Sequence, residues 1–144
     1  MNNMEVLGNI HKDITTDPNH IRVNHKGVFL GTGVIKTLDI REGEYIEFAT
    51  DRHGYLWLRK SNPNYGHRLK SVNKRLYTNS KHLAYEIALM AFAYPDDLYE
   101  GRIFTPFVLL TTELKRDSDG VIGVEVFTSR IFRTRKYYDK MKKI

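Results

Sequence analysis

Short runs in which apolar and polar side chains alternate, each cut off by a cluster of turn-forming residues, set the tightest limit on how this chain folds. Ile21 and Val23, then Val28 and Leu30, alternate with polar neighbours around Gly27 and predict two short strands or one bent strand. Tyr45-Ile46-Glu47-Phe48 and Tyr55-Leu56-Trp57-Leu58 flank Asp51-Arg52-His53-Gly54, a hairpin loop with glycine at its last position, where positive φ is often required. Asn62-Pro63-Asn64-Tyr65-Gly66 is a loop by turn chemistry, and two more short strands are expected at 68–72 and 75–77. Segments 102–114 and 121–128 predict a second hairpin around Arg116-Asp117-Ser118-Asp119-Gly120. Pro106 cannot donate to a ladder, so an edge strand or a bulge is expected there.

Helical spacing is confined to a few places. Val34, Ile35 and Leu38 predict one turn of helix after the break at Gly31-Thr32-Gly33. Asn79 or Ser80 supplies a side-chain oxygen to cap a helix running to about Tyr94, where Pro95 stops it. Leu83, Ile87, Met90 and Tyr94 form one stripe of that helix, and Ala84, Ala88 and Ala91 widen it. Such a helix is buried deeply or sits between two partners. Residues 130–144 predict a terminal helix with Tyr137, Met141 and Ile144 on one side. The reading is α+β, mostly β, with short-strand hairpins, one buried helix near 80–94 and a basic C-terminal arm. Residues 1–128 form a single β-rich domain, made of a hairpin module at 21–60 and the helix plus second hairpin at 79–128, and 129–144 form the arm.

A chain of 144 residues is long enough to bury a core, and 41% hydrophobic content is that of a globular protein. It contains no cysteine, which excludes disulfides, thiolate nucleophiles and thiolate zinc sites together. The longest uncharged apolar run, Ile87 to Tyr94, falls far short of the ~20 residues that span a bilayer, so no membrane partner is expected. The segment Met1-Asn2-Asn3-Met4-Glu5 does not begin a signal peptide, and the cytoplasm is the expected location.

Charge is unevenly placed. Residues 129–144 hold seven basic groups and one acid, which equals the whole-chain charge of +6. The preceding 128 residues are neutral, with sixteen basic and sixteen acidic groups. Between Asp51 and Glu86 there are eight basic residues and no acid. That stretch is interleaved with Tyr55, Trp57, Tyr65 and Tyr77, a pattern that suits nucleic acid because cations meet phosphates and rings stack on bases. Trp57, in an alternating strand, is expected to turn inward, leaving Arg59, Lys60, Arg68 and Lys70 as the candidate contacts.

Catalytic and metal-binding patterns are weaker. Gly31-Thr32-Gly33 lacks the third glycine of a dinucleotide fingerprint and the Gly-Lys-Ser/Thr ending of a Walker loop, so it reads as a tight strand-to-helix turn. The six histidines lack the spacings that converge on a metal. Asp96-Asp97 and Asp117/Asp119 lie in turn-like segments, where aspartate serves local hydrogen bonds. No serine occupies a nucleophile elbow. The sequence therefore predicts no enzyme, no metal and no cofactor.

Residues 26–60 carry a family likeness. Lys26-Gly27-Val28-Phe29-Leu30, then Val34-Ile35-Lys36-Thr37-Leu38-Asp39-Ile40-Arg41-Glu42-Gly43-Glu44-Tyr45-Ile46-Glu47-Phe48, then Gly54-Tyr55-Leu56-Trp57-Leu58, resemble the AbrB/MazE swapped-hairpin family. Leu38, Ile40, Gly43 and Glu44 match its turn, and Gly43 is where the chain must reverse sharply. Gly31 stands where the family has a proline, and Ile35 where it has an arginine that helps carry DNA contacts. The resemblance covers about a quarter of the chain. It implies a barrel of hairpins interlocked in a homodimer that binds DNA.

Two expectations follow. The first is a non-enzymatic DNA-associated protein, an AbrB-like regulator working as a homodimer. Lys26, Lys36, Arg59, Lys60, Arg68 and Lys70 would meet phosphate, and Arg130, Arg133, Arg135, Lys136 and Lys140 would add sequence-independent affinity. The second is a structural or assembly protein of a virus or mobile element, found in the virion. It would dock through Leu83, Ile87 and Met90 and through the basic arm.

Overall fold

The computed structural model describes residues 17–91 and 106–133, which form two antiparallel sheets and two helices. In chain order the elements are β1 (His20–Asn24), β2 (Gly27–Leu30), α1 (Thr32–Leu38), β3 (Tyr45–Thr50), β4 (Leu56–Ser61), β5 (His67–Arg68) and β6 (Lys70–Val72). They continue with β7 (Arg75–Thr78), α2 (Lys81–Met90), β8 (Phe107–Leu110), β9 (Lys115–Arg116), β10 (Ile122–Val126) and β11 (Phe132–Arg133). Sheet one has six strands in the order β11-β8-β1-β2-β7-β6, and sheet two has five in the order β5-β3-β4-β10-β9. The mostly β expectation holds, and the strands at 20–30 and 45–61 fall where alternation placed them; the strand expected at 68–72 is divided, β5 pairing with β3 in sheet two and β6 with β7 in sheet one.

Alternation sorts the side chains of sheet one between two faces. Ile21, Val23, Val28 and Leu30 turn inward and join Leu56, Leu58, Val124 and Val126 of sheet two in one core. Helix α2 starts at Ser80, whose hydroxyl accepts the Leu83 N–H at 3.1 Å. Its apolar stripe lies against β1 and β2. Leu83 (8% exposed) and Ile87 (1%) are therefore core residues rather than a docking surface, and Met90 is half-buried against the same core. No helix among the described residues is long and apolar enough to cross a membrane.

The structure departs from the sequence reading in three further places. The segment expected as one strand at 102–114 serves both sheets: β8 pairs with β1, Thr111 bridges Val126 of β10, and β10 takes as its hairpin partner β9, just beyond residue 114. The crossing lies at Thr111, which bridges Val126, and Thr112, whose hydroxyl accepts the Glu125 N–H at 2.9 Å. Pro106 stands immediately ahead of β8, which has β1 on one side and β11 on the other and is no edge strand. The expected terminal helix begins instead as β11, so the arm predicted from residue 129 starts inside sheet one. The end of the expected helix at Tyr94 and Pro95, and the cations Arg135, Lys136 and Lys140, lie outside the described residues.

Within the AbrB-like stretch, β3 and β4 form the expected hairpin, and Gly43 has φ 88° at the predicted reversal. The same chain supplies the neighbours of that hairpin, with β10 along β4 and the two-residue β5 at the start of β3.

Candidate nucleic-acid interface

The outer face of sheet two is closed by two turns built alike. In the β3–β4 turn, Asp51 Oδ1 accepts the amides of His53 (2.8 Å) and Tyr55 (3.0 Å), and Gly54 has φ 85°. In the β9–β10 turn, Asp117 Oδ1 accepts the amides of Asp119 (2.8 Å) and Val121 (2.9 Å), and Gly120 has φ 83°. In each turn the second carboxylate oxygen reaches β4: Asp51 Oδ2 accepts the Trp57 indole N–H at 3.0 Å, and Asp117 Oδ2 accepts an Arg59 N–H at 3.2 Å. Burial opposes the charged form of Asp51, but the Trp57 bond and the Tyr55 and His53 amides outweigh it and lower its pKa. The Val121 amide does most to lower the pKa of Asp117, against partial burial and with help from Asp119 and Arg59.

Acids of the β9–β10 turn and of the adjoining strands neutralise the cations on this face. Arg59 lies between Asp117 at 3.2 Å and Glu47 at 3.6 Å. Lys115 pairs with Glu125 at 3.0 Å and stands 5.6 Å above the Trp57 ring. Trp57 is 4% exposed, as expected, but it is buried beneath these turns rather than in the main core. A cleft of about 550 Å³ beside this face is lined by Leu38, Asp39, Glu47, Lys60, Val121 and Ile122. No group of three or more metal-ligating side chains occurs among the described residues.

Sheet one is different. Its six strands contain Arg22, Lys70, Arg75 and Arg133 and no Asp or Glu. On the face turned away from the core, register aligns Phe132, Val108, Arg22, Phe29, Tyr77 and Lys70 in one row across all six strands. The Phe29 and Tyr77 rings stack with centroids 5.0 Å apart and planes 15° apart. The Arg22 guanidinium lies 5.0 Å from the Phe29 centroid, so Phe29 is held between a cation and a second ring. Burial first, and then the Arg75 charge, hold the Arg22 pKa below its ordinary value. At the β11 end, Val108 and Phe132 are buried with Leu110 packed against them, and Arg130 lies 4.9 Å from the Phe132 ring. At the β6 end, Lys70, Val72 and Arg75 are exposed.

The predicted contacts do not converge on one surface. Lys26 is exposed in the β1–β2 turn, Lys36 on α1, Lys60 at the cleft and Arg68 on β5, while Arg59 is ion-paired. Lys70 alone of the six lies on the outer row of sheet one. Arg130 and the backbone of Arg133 lie at the other end of that sheet. Sequence reasoning missed Arg22, Phe29 and Arg75. The signal was there: Arg22 falls between inward-facing Ile21 and Val23, and Arg75 and Tyr77 share a face by two-residue spacing.

The glycines at 31–33 make the tight turn expected of them. Gly31 N–H donates to the His20 carbonyl and Gly33 N–H to the Pro18 carbonyl, each at 2.8 Å, so neither amide is available to a phosphate.

No protein-family model, curated protein or solved structure matches this chain.

Proposed function

We propose that the protein is a non-enzymatic, DNA-associated protein that holds its ligand mainly through the outer face of sheet one. The observation that carries this reading is a sheet whose strands hold several cations and no acid. Among the described residues, Arg22, Lys70, Arg75 and Arg130 have no carboxylate partner. Arg75 is close enough to disfavour the charge on Arg22, and a polyanion laid across the pair relieves that repulsion. The finer reading, an AbrB/MazE-like regulator acting as a homodimer in the cytoplasm, rests on Leu38, Ile40, Gly43 and Glu44 in the sequence.

The test is fluorescence anisotropy with labelled DNA across a salt series. Contact by these four cations implies a slope of log affinity against log salt of about −3, since each phosphate contact contributes about −0.7 to −0.9. Absence of binding to both duplex and single strand at low salt refutes the reading. The alternative assembly role loses one of its two supports, because the helical stripe meant to dock is core.

A further inference from the structure

We propose that the outer face of sheet one binds single-stranded DNA, with a base stacking on Tyr77 and the backbone phosphates meeting Lys70 and Arg75. This inference rests on the DNA-associated reading above and names the form of the ligand.

The geometry is that of an unfinished column. Arg22, Phe29 and Tyr77 lie on neighbouring strands β1, β2 and β7, in register. One face of Phe29 meets the guanidinium at 5.0 Å and the other meets Tyr77, also at 5.0 Å. Tyr77 therefore has one ring face occupied by Phe29, and its second face is directed toward β6. Among the described residues no ring or cation occupies that second face. Lys70 is the register partner of Tyr77 on β6, and Arg75 lies two residues away on the same side of β7. Both cations are exposed. A flat aromatic group with a negative charge beside it completes the column and neutralises its rim.

A nucleotide has that composition, and strand state decides which kind. In a duplex the base faces are stacked on each other and only their edges are offered in the grooves. A single strand presents its base faces, and stacking on an aromatic side chain tolerates any base. Among the described residues, the outer face of sheet one carries no protruding helix or ribbon with which to enter a groove: the outer row lies on strands. The arrangement thus favours a splayed single strand lying across β2, β7 and β6.

The experiment compares a labelled single-stranded oligothymidine with a mixed-sequence duplex of equal length, using the full chain at low salt. Wild type should bind the single strand at least about tenfold more tightly than the duplex. Loss of one stacked base weakens binding by about tenfold to a hundredfold, so Tyr77→Ala should do so on the single strand and barely affect the duplex. Tyr77→Phe should retain wild-type affinity, whereas Tyr77→Leu, which preserves bulk and packing, should not. Lys70→Ala should weaken binding severalfold and make the salt slope shallower by about 0.7. A photoactivatable iodouracil oligonucleotide should cross-link to the 75–78 peptide of the native chain, a result independent of variant stability. Duplex binding equal to or tighter than single-strand binding, or Tyr77→Leu matching Tyr77→Phe, overturns the platform and leaves the broader DNA reading intact. No binding to either nucleic acid overturns both.

Discussion

Replacing Ile87 by alanine separates a core helix from a docking helix, and the structure sets the size of the effect. Ile87 is 1% exposed and lies between Ala84 and Ala88, both fully buried, on the side of α2 that meets β1 and β2. The substitution removes three carbon atoms from that contact. At about 0.8 kcal/mol per buried methylene, the lost transfer energy is about 2.4 kcal/mol. The strands packed against the helix relax only partly, so the remaining cavity raises the expected loss to about 3–4 kcal/mol. That is a large part of the ~5–15 kcal/mol that stabilises a domain of this kind. Leu89, two residues on, is 48% exposed, and Leu89→Ala should stay within about 0.5 kcal/mol of wild type. Urea unfolding followed by Trp57 fluorescence reads both, because the single tryptophan is buried in the other sheet and reports the global transition. The urea midpoint should fall for Ile87→Ala with the slope unchanged. A loss under about 1 kcal/mol, or an equal loss from Leu89→Ala, refutes the core assignment and restores α2 as a docking surface.

Two further outcomes follow from single sites. A Cβ at residue 27 would lie 2.0 Å from the Thr78 carbonyl oxygen, so Gly27→Ala should force β2 away from β7 and cost about 2 kcal/mol or more. Near-ultraviolet circular dichroism should also register loss of the Phe29–Tyr77 stack, and an unchanged spectrum and midpoint would contradict this. Asp51 and Asp117 have lowered pKa values in the folded chain, so on acidification the unfolded chain takes up protons first. Their contribution is complete above the ordinary carboxylate value of about 4 and is lost as pH falls through the folded values. Midpoints measured from neutral pH downward should therefore drop in wild type and drop less in Asp51→Asn and Asp117→Asn, and parallel curves would show that these carboxylates are not the responsible groups.

The strands were legible because their evidence is local. Ile21 and Val23 turn inward while Arg22 between them does not, and a period of two records that without reference to any neighbour. The Ser80 cap and the αL glycines at 54 and 120 are equally local. Pairing was not legible. Phe107–Leu110 lies inside one expected strand and Lys115–Arg116 just beyond it, yet the first pairs with β1, more than eighty residues earlier, and the second with β10. Nor did the sequence distinguish a free cation from a paired one. Arg59 and Lys70 look alike in the acid-free stretch, but Asp117, far along the chain, folds back onto Arg59, and no carboxylate among the described residues pairs with Lys70.

That last difference changes what the charge count means. Residues 1–128 are neutral in sum, so the charge count by itself favours no face of the body for a polyanion. Folding separates the signs instead. Glu47 and Glu125 lie on the strands of sheet two, and Asp51 and Asp117 in its turns, where they bind amides, Trp57, Arg59 and Lys115. Asp39, Glu42 and Glu44 lie on the connection between α1 and β3. Sheet one receives none of these acids on its strands. A residue as short as aspartate neutralises a cation only from an adjacent strand or turn, and at greater separation in water the attraction is screened within about 8–10 Å. The body is therefore neutral as a sum, while the described strands of sheet one carry cations and no acid. The basic end also begins there, because β11 pairs with β8 in the same sheet. On the proposed reading, a ligand that meets Arg130 at the β11 end lies on the same sheet that carries Arg22, Tyr77 and Lys70.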